Sequence, residues 1–257
     1  MLLAVPALIG LLLLLLPLGG LLVRAPWHGL PRLLSEPTVA QALKLSVLSA
    51  TLATAASLLF GVPVAWVLAR LTFPGRRLLR ALVTLPLVLP PVVGGLALLV
   101  VFGRRGLLGP LLASTLGISL PFTTAAVVLA ETFVAMPFLV VTVEGALSSS
   151  DLRFEEAAAT LGSRPWTTFW RVTLPQVGPS VGAGAVLCFA RALGEFGATI
   201  TFAGNLPGTT QTMPLAVYIA LERDPEAAIA LALVLLVLSV AILVALRERW
   251  LRPATST

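Results

Sequence analysis

Two ionisable residues of opposite sign, Arg191 and Glu195, stand four apart in an otherwise apolar run. On a helix that spacing puts both on one face. A charge at membrane depth costs at least a few kcal/mol, so such groups face a cavity or one another. Two uses fit the pair. It is a structural ion pair that lets both residues insert, or it lines and gates a pathway, with Arg191 offering positive potential to a divalent oxyanion. Glu195 repels such an anion unless it is itself paired. Glu131 is a second isolated carboxylate in an apolar run, with Arg191 as a candidate partner. Gly194 and Gly197 flank Glu195 and suit close packing, a hinge or a narrow gate. Thr199, Thr201 and Asn205 follow as hydroxyl and amide groups that can line an outer end or cap a helix.

Other chemistry is scarce. Cys188 is the only cysteine and lies within an apolar segment, which leaves no disulfide and no thiolate metal set and reads as a small core hydrophobe. His28 is the only histidine and falls in a Pro/Gly-rich stretch. No metal site is expected, and no Ser/His, Asp/Asp or His-rich constellation for an embedded enzyme is present. The single lysine, Lys44, sits in Gln41-Ala42-Leu43-Lys44-Leu45 without neighbouring glycines. A phosphate-cradling loop needs its lysine directly after a glycine-rich turn, so any ATP site belongs to another chain.

The elements that must position these residues are membrane spans. Of 257 residues 58% are hydrophobic and only 11% charged, with a mean hydropathy of +1.03. About 20 apolar residues cross the hydrocarbon core as a helix. Six segments reach that length: 2–23, 45–69, 81–102, 122–143, 180–203 and 227–246. The alternating segments of about 10 residues that mark a membrane barrel are absent, so the fold class is all-α, a polytopic helical bundle. The first segment lacks a basic start and a small-residue cleavage site, and is expected to be a retained helix. In the second, Ser49, Ala53, Ser57 and Gly61 recur at four-residue steps, a pattern for close helix packing.

The net charge of +6 comes from arginines scattered between apolar runs, not gathered on a polar face, which argues for membrane topology and against nucleic acid. With the N-terminus inside, the inner loops hold Arg70, Arg76, Arg77, Arg80, Arg153, Arg164, Arg171, Arg247, Arg249 and Arg252. The outer loops hold only Arg24, Arg32, Arg104, Arg105 and Arg223. The positive-inside rule then places both termini in the cytoplasm. The outer stretch 103–121 is a candidate re-entrant or interfacial helix.

On that topology the longest inner loop is 144–179. Asp151 is a candidate N-cap, Gly162 a stop, Ser163-Arg164-Pro165 a restart and Pro175 a second stop, giving two short helices joined at a glycine corner. Phe154, Ala158 and Leu161 share one face, followed by Trp166, Phe169 and Trp170. An interfacial belt accounts for the tryptophans. It does not account for Glu155 and Glu156, because carboxylates gain nothing from an anionic leaflet. A helix seated in the groove of a soluble partner accommodates both features.

Within this loop Glu156-Ala157-Ala158, three residues, Gly162, nine residues and Val172-Thr173-Leu174-Pro175 resemble the EAA signature of binding-protein-dependent ABC importer permeases, with valine in place of isoleucine. Arg191-Ala192-Leu193-Gly194-Glu195-Phe196-Gly197-Ala198-Thr199, then Asn205, Pro207-Gly208 and Met213-Pro214, resemble the molybdate branch. Sulfate and thiosulfate permeases are similar and stand second. A stand-alone secondary transporter is the alternative of a different class, and an inverted repeat would favour it. The resemblance implies a single permease domain over 1–257 with the type I ABC importer fold, in a bacterial or archaeal cytoplasmic membrane. It also implies a homodimer, two cytoplasmic ABC ATPase subunits carrying ATP and Mg, and a periplasmic or surface-tethered oxyanion-binding protein. Glu155, Glu156, Ala157, Ala158, Gly162, Leu174 and Pro175 would then form the ATPase-coupling loop.

Overall fold

Apolar segments of span length fold as helices because only an internally hydrogen-bonded backbone is stable in hydrocarbon. The computed structural model describes residues 3–250, with side chains described through residue 242 and at 244. Arg252, and the side chains of Arg247 and Arg249, lie outside those described. Thirteen α-helices and no strand occur among the described residues. Five helices are long and apolar enough to cross a membrane, and a bent pair brings the number to six.

The candidate crossings are α1 (Ala4–Val23), α3 (Pro37–Arg70), α7 (Thr124–Ser149), α10 (Leu174–Leu193) with the turns before it, and α13 (Pro225–Trp250), and the sixth is α5 (Pro91–Phe102), with α4 (Arg76–Thr84) bent away from it. Short helices connect them: α2 (Leu30–Leu34), α6 (Gly109–Leu116), α8 (Arg153–Thr160), α9 (Pro165–Thr168), α11 (Gly197–Phe202) and α12 (Met213–Arg223). At 34 residues α3 is about 51 Å long and outruns a hydrocarbon core of about 30 Å. It begins eight residues before the span read from hydropathy, because Pro37 starts the helix at its first turn, where no N–H is needed.

Three expectations are corrected. The third span, 81–102, is not one rod: α4 and α5 meet at 113° across a 3₁₀ turn, Leu85–Leu87, and the Pro90-Pro91 pair. Proline drives its preceding residue out of the helical region, and two in succession end a helix. The fifth span does not run to residue 203, since α10 ends at Leu193 and α11 restarts at Gly197. Pro175 is not a stop. α9 passes through a π-helical turn, Phe169–Thr173, directly into α10, and Pro175 occupies the first turn of α10. The segment 103–121 contains α6, closed by Gly117 in the left-handed conformation.

The core lies where α3, α7 and α10 meet. Ala50, Ala53, Ala65 and Leu68 of α3 pack with Ala135, Leu139, Val143 and Leu147 of α7 and with Cys188 and Ala192 of α10. Cys188 is a buried free thiol in this cluster, as expected of a small hydrophobe. The small-residue stripe on α3 packs as read: Ser49, Ala53, Ser57 and Gly61 are buried, and a Cβ on Gly61 would lie 2.9 Å from Leu139 Cδ2. A second cluster joins Leu98 of α5, Ala126, Val127 and Ala130 of α7, and Ala198 and Phe202 of α11. The start of α3 meets α12 and α13 through Val39, Ala42, Met213 and Leu231.

Gly95 sets the approach of α5 to α11, since a Cβ there would stand 2.8 Å from the Ala198 carbonyl and 2.8 Å from Thr201 Cβ. Overpacking of this kind costs about 1–3 kcal/mol. Gly95→Leu is therefore expected to lower the unfolding temperature in detergent, whereas Gly19→Leu, where nothing lies within 4 Å, leaves it unchanged. Equal unfolding temperatures would contradict this packing.

Candidate functional site

Charged and hydrogen-bonding groups concentrate in two places. The first is the loop after α7. α8 ends against Gly162, whose φ of +79° is the left-handed conformation that glycine adopts without strain. Pro165 then restarts the chain as α9. The corner between α8 and α9 is thus formed by the residue types read for it. The N-cap position of α8 is Leu152, one residue after Asp151, but the Asp151 carboxylate accepts the N–H of Arg153, the first residue of α8, at 3.0 Å.

One arginine ties this loop to the bundle. Arg70, the last residue of α3, donates from Nη1 to the Leu147 carbonyl at 2.7 Å. From Nη2 it donates to Ser150 Oγ at 2.7 Å and to Glu155 Oε1 at 2.8 Å. It satisfies a carbonyl in the last turn of α7, which has no partner within the helix, and pairs with the first turn of α8. Three elements converge on a side chain that is 11% exposed. A second pair reinforces the same end: Arg80 of α4 binds the buried Glu144 of α7, with Nε at 2.7 Å.

The tether divides the two adjacent carboxylates. Glu155 turns inward to Arg70, while Glu156 points to the exposed side. Around Glu156 the loop displays Phe154, Leu161, Trp166 and Trp170, all more than half exposed. Trp166, Phe169 and Trp170 stack mutually with centroids 5.5–6.4 Å apart, so the patch is a pre-arranged surface and not a set of loose side chains. Phe169 and Trp166 also face Pro63 and Trp66 of α3 across a shallow apolar pocket of about 250 Å³. Ala157 and Ala158 lie on α8, and Leu174 and Pro175 start α10, where the loop rejoins the bundle.

The second concentration is the break between α10 and α11. Arg191 Nη2 sits 2.6 Å from Glu195 Oε2, off the alignment of a hydrogen bond, and Glu195 Oε1 accepts the Ala198 N–H at 2.7 Å. Glu195 is thereby held by a charge on one side and by the first turn of α11 on the other. It is 1% exposed, whereas Arg191 remains 27% exposed. Gly194 ends α10 with room for a Cβ, the Ala190 carbonyl being 3.7 Å away. Gly197 has no such room: a Cβ would approach Pro91 Cβ to 2.8 Å. Thr199 is buried with Oγ1 unpartnered, and Thr201 donates to the Gly197 carbonyl within its own helix.

Glu131 is not paired with Arg191. It accepts from Ser49 Oγ of α3 at 2.8 Å and leaves Oε2 without a partner. Next to it, Ser46 Oγ accepts the Met213 N–H at 2.7 Å, joining α12 to α3. Ser49 and Arg70 were missed in the sequence because their partners lie 80 or so residues away. The available signals were a serine in a packing stripe and an arginine at a span terminus. No group of three or more His, Cys, Asp or Glu side chains placed for a metal ion occurs among the described residues.

Residues 57–256 match the family described as binding-protein-dependent transport system inner membrane component. The molybdenum transport system permease protein ModB of Mycobacterium tuberculosis is 49% identical over 244 residues, covering 95% of this chain and 92% of the relative. ModB of Escherichia coli is 44% identical, covering 82% of this chain and 92% of the relative. The sulfate transport system permease protein CysT of Escherichia coli is 40% identical, covering 90% of this chain and 85% of the relative. In fold, the chain matches a bacterial alginate ABC transporter solved with its periplasmic protein, at a TM-score of 0.79 and 17% identity, covering 98% of this chain and 93% of that one.

Arg70→Ala removes three hydrogen bonds at once and leaves Glu155 without its partner, while the Leu147 carbonyl keeps only Ser150 as a donor, a loss of about 1–3 kcal/mol. Local opening of α8 should rise accordingly, and trypsin should cut after Arg153 roughly 5- to 150-fold faster while the spans stay intact. An unchanged cleavage rate would show that the tether does not hold the loop.

Proposed function

Because the chain belongs to the binding-protein-dependent transport system inner membrane component family, we propose that it is the membrane-spanning subunit of an ATP-binding-cassette importer for molybdate or tungstate. The observation that carries the reading is the loop geometry: the signature runs from the exposed α8 through the glycine corner and α9 into the start of α10, and the loop is fastened to α3 and α7 while its exposed side presents Glu156 and an aromatic patch. Identities of 44–49% to proteins named as molybdenum permeases, against 40% to a sulfate permease, support the oxyanion.

In this reading the chain is a homodimer in a bacterial or archaeal cytoplasmic membrane, with six crossings and both termini in the cytoplasm. Each copy offers α8 and α9 to a groove on one of two ATPase subunits, which hold ATP and Mg. Glu156, Ala157, Ala158 and Gly162 form the contact. Glu155, through Arg70, passes the displacement to α3 and α7, and Leu174-Pro175 pass it to α10. ATP-driven closure of the ATPases draws the two loops together and turns the spans from inward-open to outward-open. Nucleotide shifts this equilibrium only to the extent that the ATPases grip the two states differently. A binding protein on the outer side delivers the oxyanion.

The break at Gly194–Phe196 is where the pathway is gated. Arg191 is partly exposed and supplies positive potential, while Glu195, neutralised by it and fixed to α11, does not repel the anion. Gly194, with space around it, takes up the backbone change, while Gly197 stays packed against α5 and Thr199 stays buried.

Uptake into proteoliposomes containing the permease, its ATPase and loaded binding protein tests the function. Labelled molybdate should accumulate on ATP addition, with excess tungstate competing better than sulfate, and Glu156→Lys should reduce uptake at least about tenfold and weaken ATPase co-purification. Accumulation without ATP would favour a secondary transporter, and normal uptake by Glu156→Lys would remove the coupling assignment.

A further inference from the structure

The turn between α3 and α4 forms a pocket that neither the coupling loop nor the pathway uses. Thr72, Phe73, Gly75, Arg76, Arg77 and Arg80 line a cavity of about 430 Å³. Gly75, at φ +89°, folds the chain back so that the residues before it face the first turns of α4. Three arginines therefore line one small space. Arg80 is already matched by Glu144. Among the described residues no carboxylate lies within ion-pair distance of Arg76 or Arg77. Arg76 Nε is buried without a partner, and its Nη2 reaches only the Ala69 carbonyl, at 3.5 Å. A pocket with two uncompensated cations and no lining acid calls for an anion.

The other face of α4 identifies the source of that anion. Leu78, Leu82 and Leu85 fall at i, i+4 and i+7, and all are at least 46% exposed. The sharp bend from α5 keeps α4 from continuing the crossing as one rod. A short helix with an arginine face and an exposed leucine stripe lies in the plane of a membrane surface, leucines among acyl chains and arginines at headgroup depth. We infer that Arg76 and Arg77 bind the phosphate of one anionic phospholipid of the inner leaflet. The leaflet assignment rests on the topology proposed above; the binding itself does not. The lipid would wedge α4 against α7 beside the Arg80–Glu144 pair and steady the end of the bundle that carries the coupling loop.

Native mass spectrometry of the detergent-solubilised full chain tests this with phosphatidylglycerol, phosphatidylcholine and inorganic phosphate as separate probes. Phosphatidylglycerol should be retained in preference to phosphatidylcholine. Each arginine near an anionic surface is worth roughly fivefold in affinity, so Arg76→Gln/Arg77→Gln should weaken retention about 25-fold and Arg77→Gln alone about fivefold. The single variant changes an exposed side chain and keeps the test meaningful if the double variant folds poorly. Arg104→Gln/Arg105→Gln removes equal charge elsewhere and should change nothing. Equal retention of both lipids, or undiminished phosphatidylglycerol binding by the Arg77→Gln chain, would overturn the site. Inorganic phosphate binding as tightly as phosphatidylglycerol would overturn the lipid source. Weaker ATPase co-purification with unaltered lipid retention would assign the arginines to the ATPase interface instead. A complex that fails to import but retains the lipid would separate the failure of the proposed function from that of this site.

Discussion

Arg70 closes the last turn of α3 onto the last turn of α7 and the first turn of α8, and the proposed coupling surface depends on that closure. A loop joined only by its ends would lose any imposed displacement in its own flexibility. Here one planar, multi-donor side chain links three backbone segments, a task that the point charge of lysine performs poorly. Consequently the loop is fastened to α3, the longest helix, and to α7. Its exposed side, with Glu156 and the stacked aromatics, is stiffened before any partner arrives, which limits the ordering cost of docking.

The interior obeys the matching constraint of an apolar solvent, in which each buried polar group needs a partner within the chain. Glu144 has Arg80, Glu195 has Arg191 and the Ala198 N–H, and Glu131 has Ser49. These links each join two different helical elements or bridge a helix break, so they also act as registers for the α3–α7–α10 packing. Small residues let those helices approach closely, and the polar links fix which faces meet. Among the buried atoms left without a hydrogen-bond partner, Glu195 Oε2 and Thr199 Oγ1 lie at the α10–α11 break proposed as the gate.

Much of this was readable from residues alone because the controlling signals are local. Apolar length specifies a crossing, and the spacing from Glu156 to Pro175 specified both the loop and its glycine corner. The bend at Pro90-Pro91 was less legible, since hydropathy is the same for a straight helix and for two broken ones. Pro175 misled for a related reason: proline is excluded from helix interiors but welcome in a first turn, and only the preceding π turn shows which case applies. The partners of Glu131 and Glu155 were out of reach. An i,i+4 pair such as Arg191–Glu195 can be read from a helix, whereas Ser49–Glu131 and Arg70–Glu155 depend on how distant helices pack.

The most direct test of the central claim is ATP hydrolysis by the reconstituted permease–ATPase complex, with the binding protein added empty or loaded with molybdate, tungstate or sulfate. The account predicts stimulation by the molybdate- or tungstate-loaded protein above the empty and sulfate-loaded ones. Failure of any ATPase subunit to form a complex with the chain, or hydrolysis that responds to sulfate alone, would contradict it.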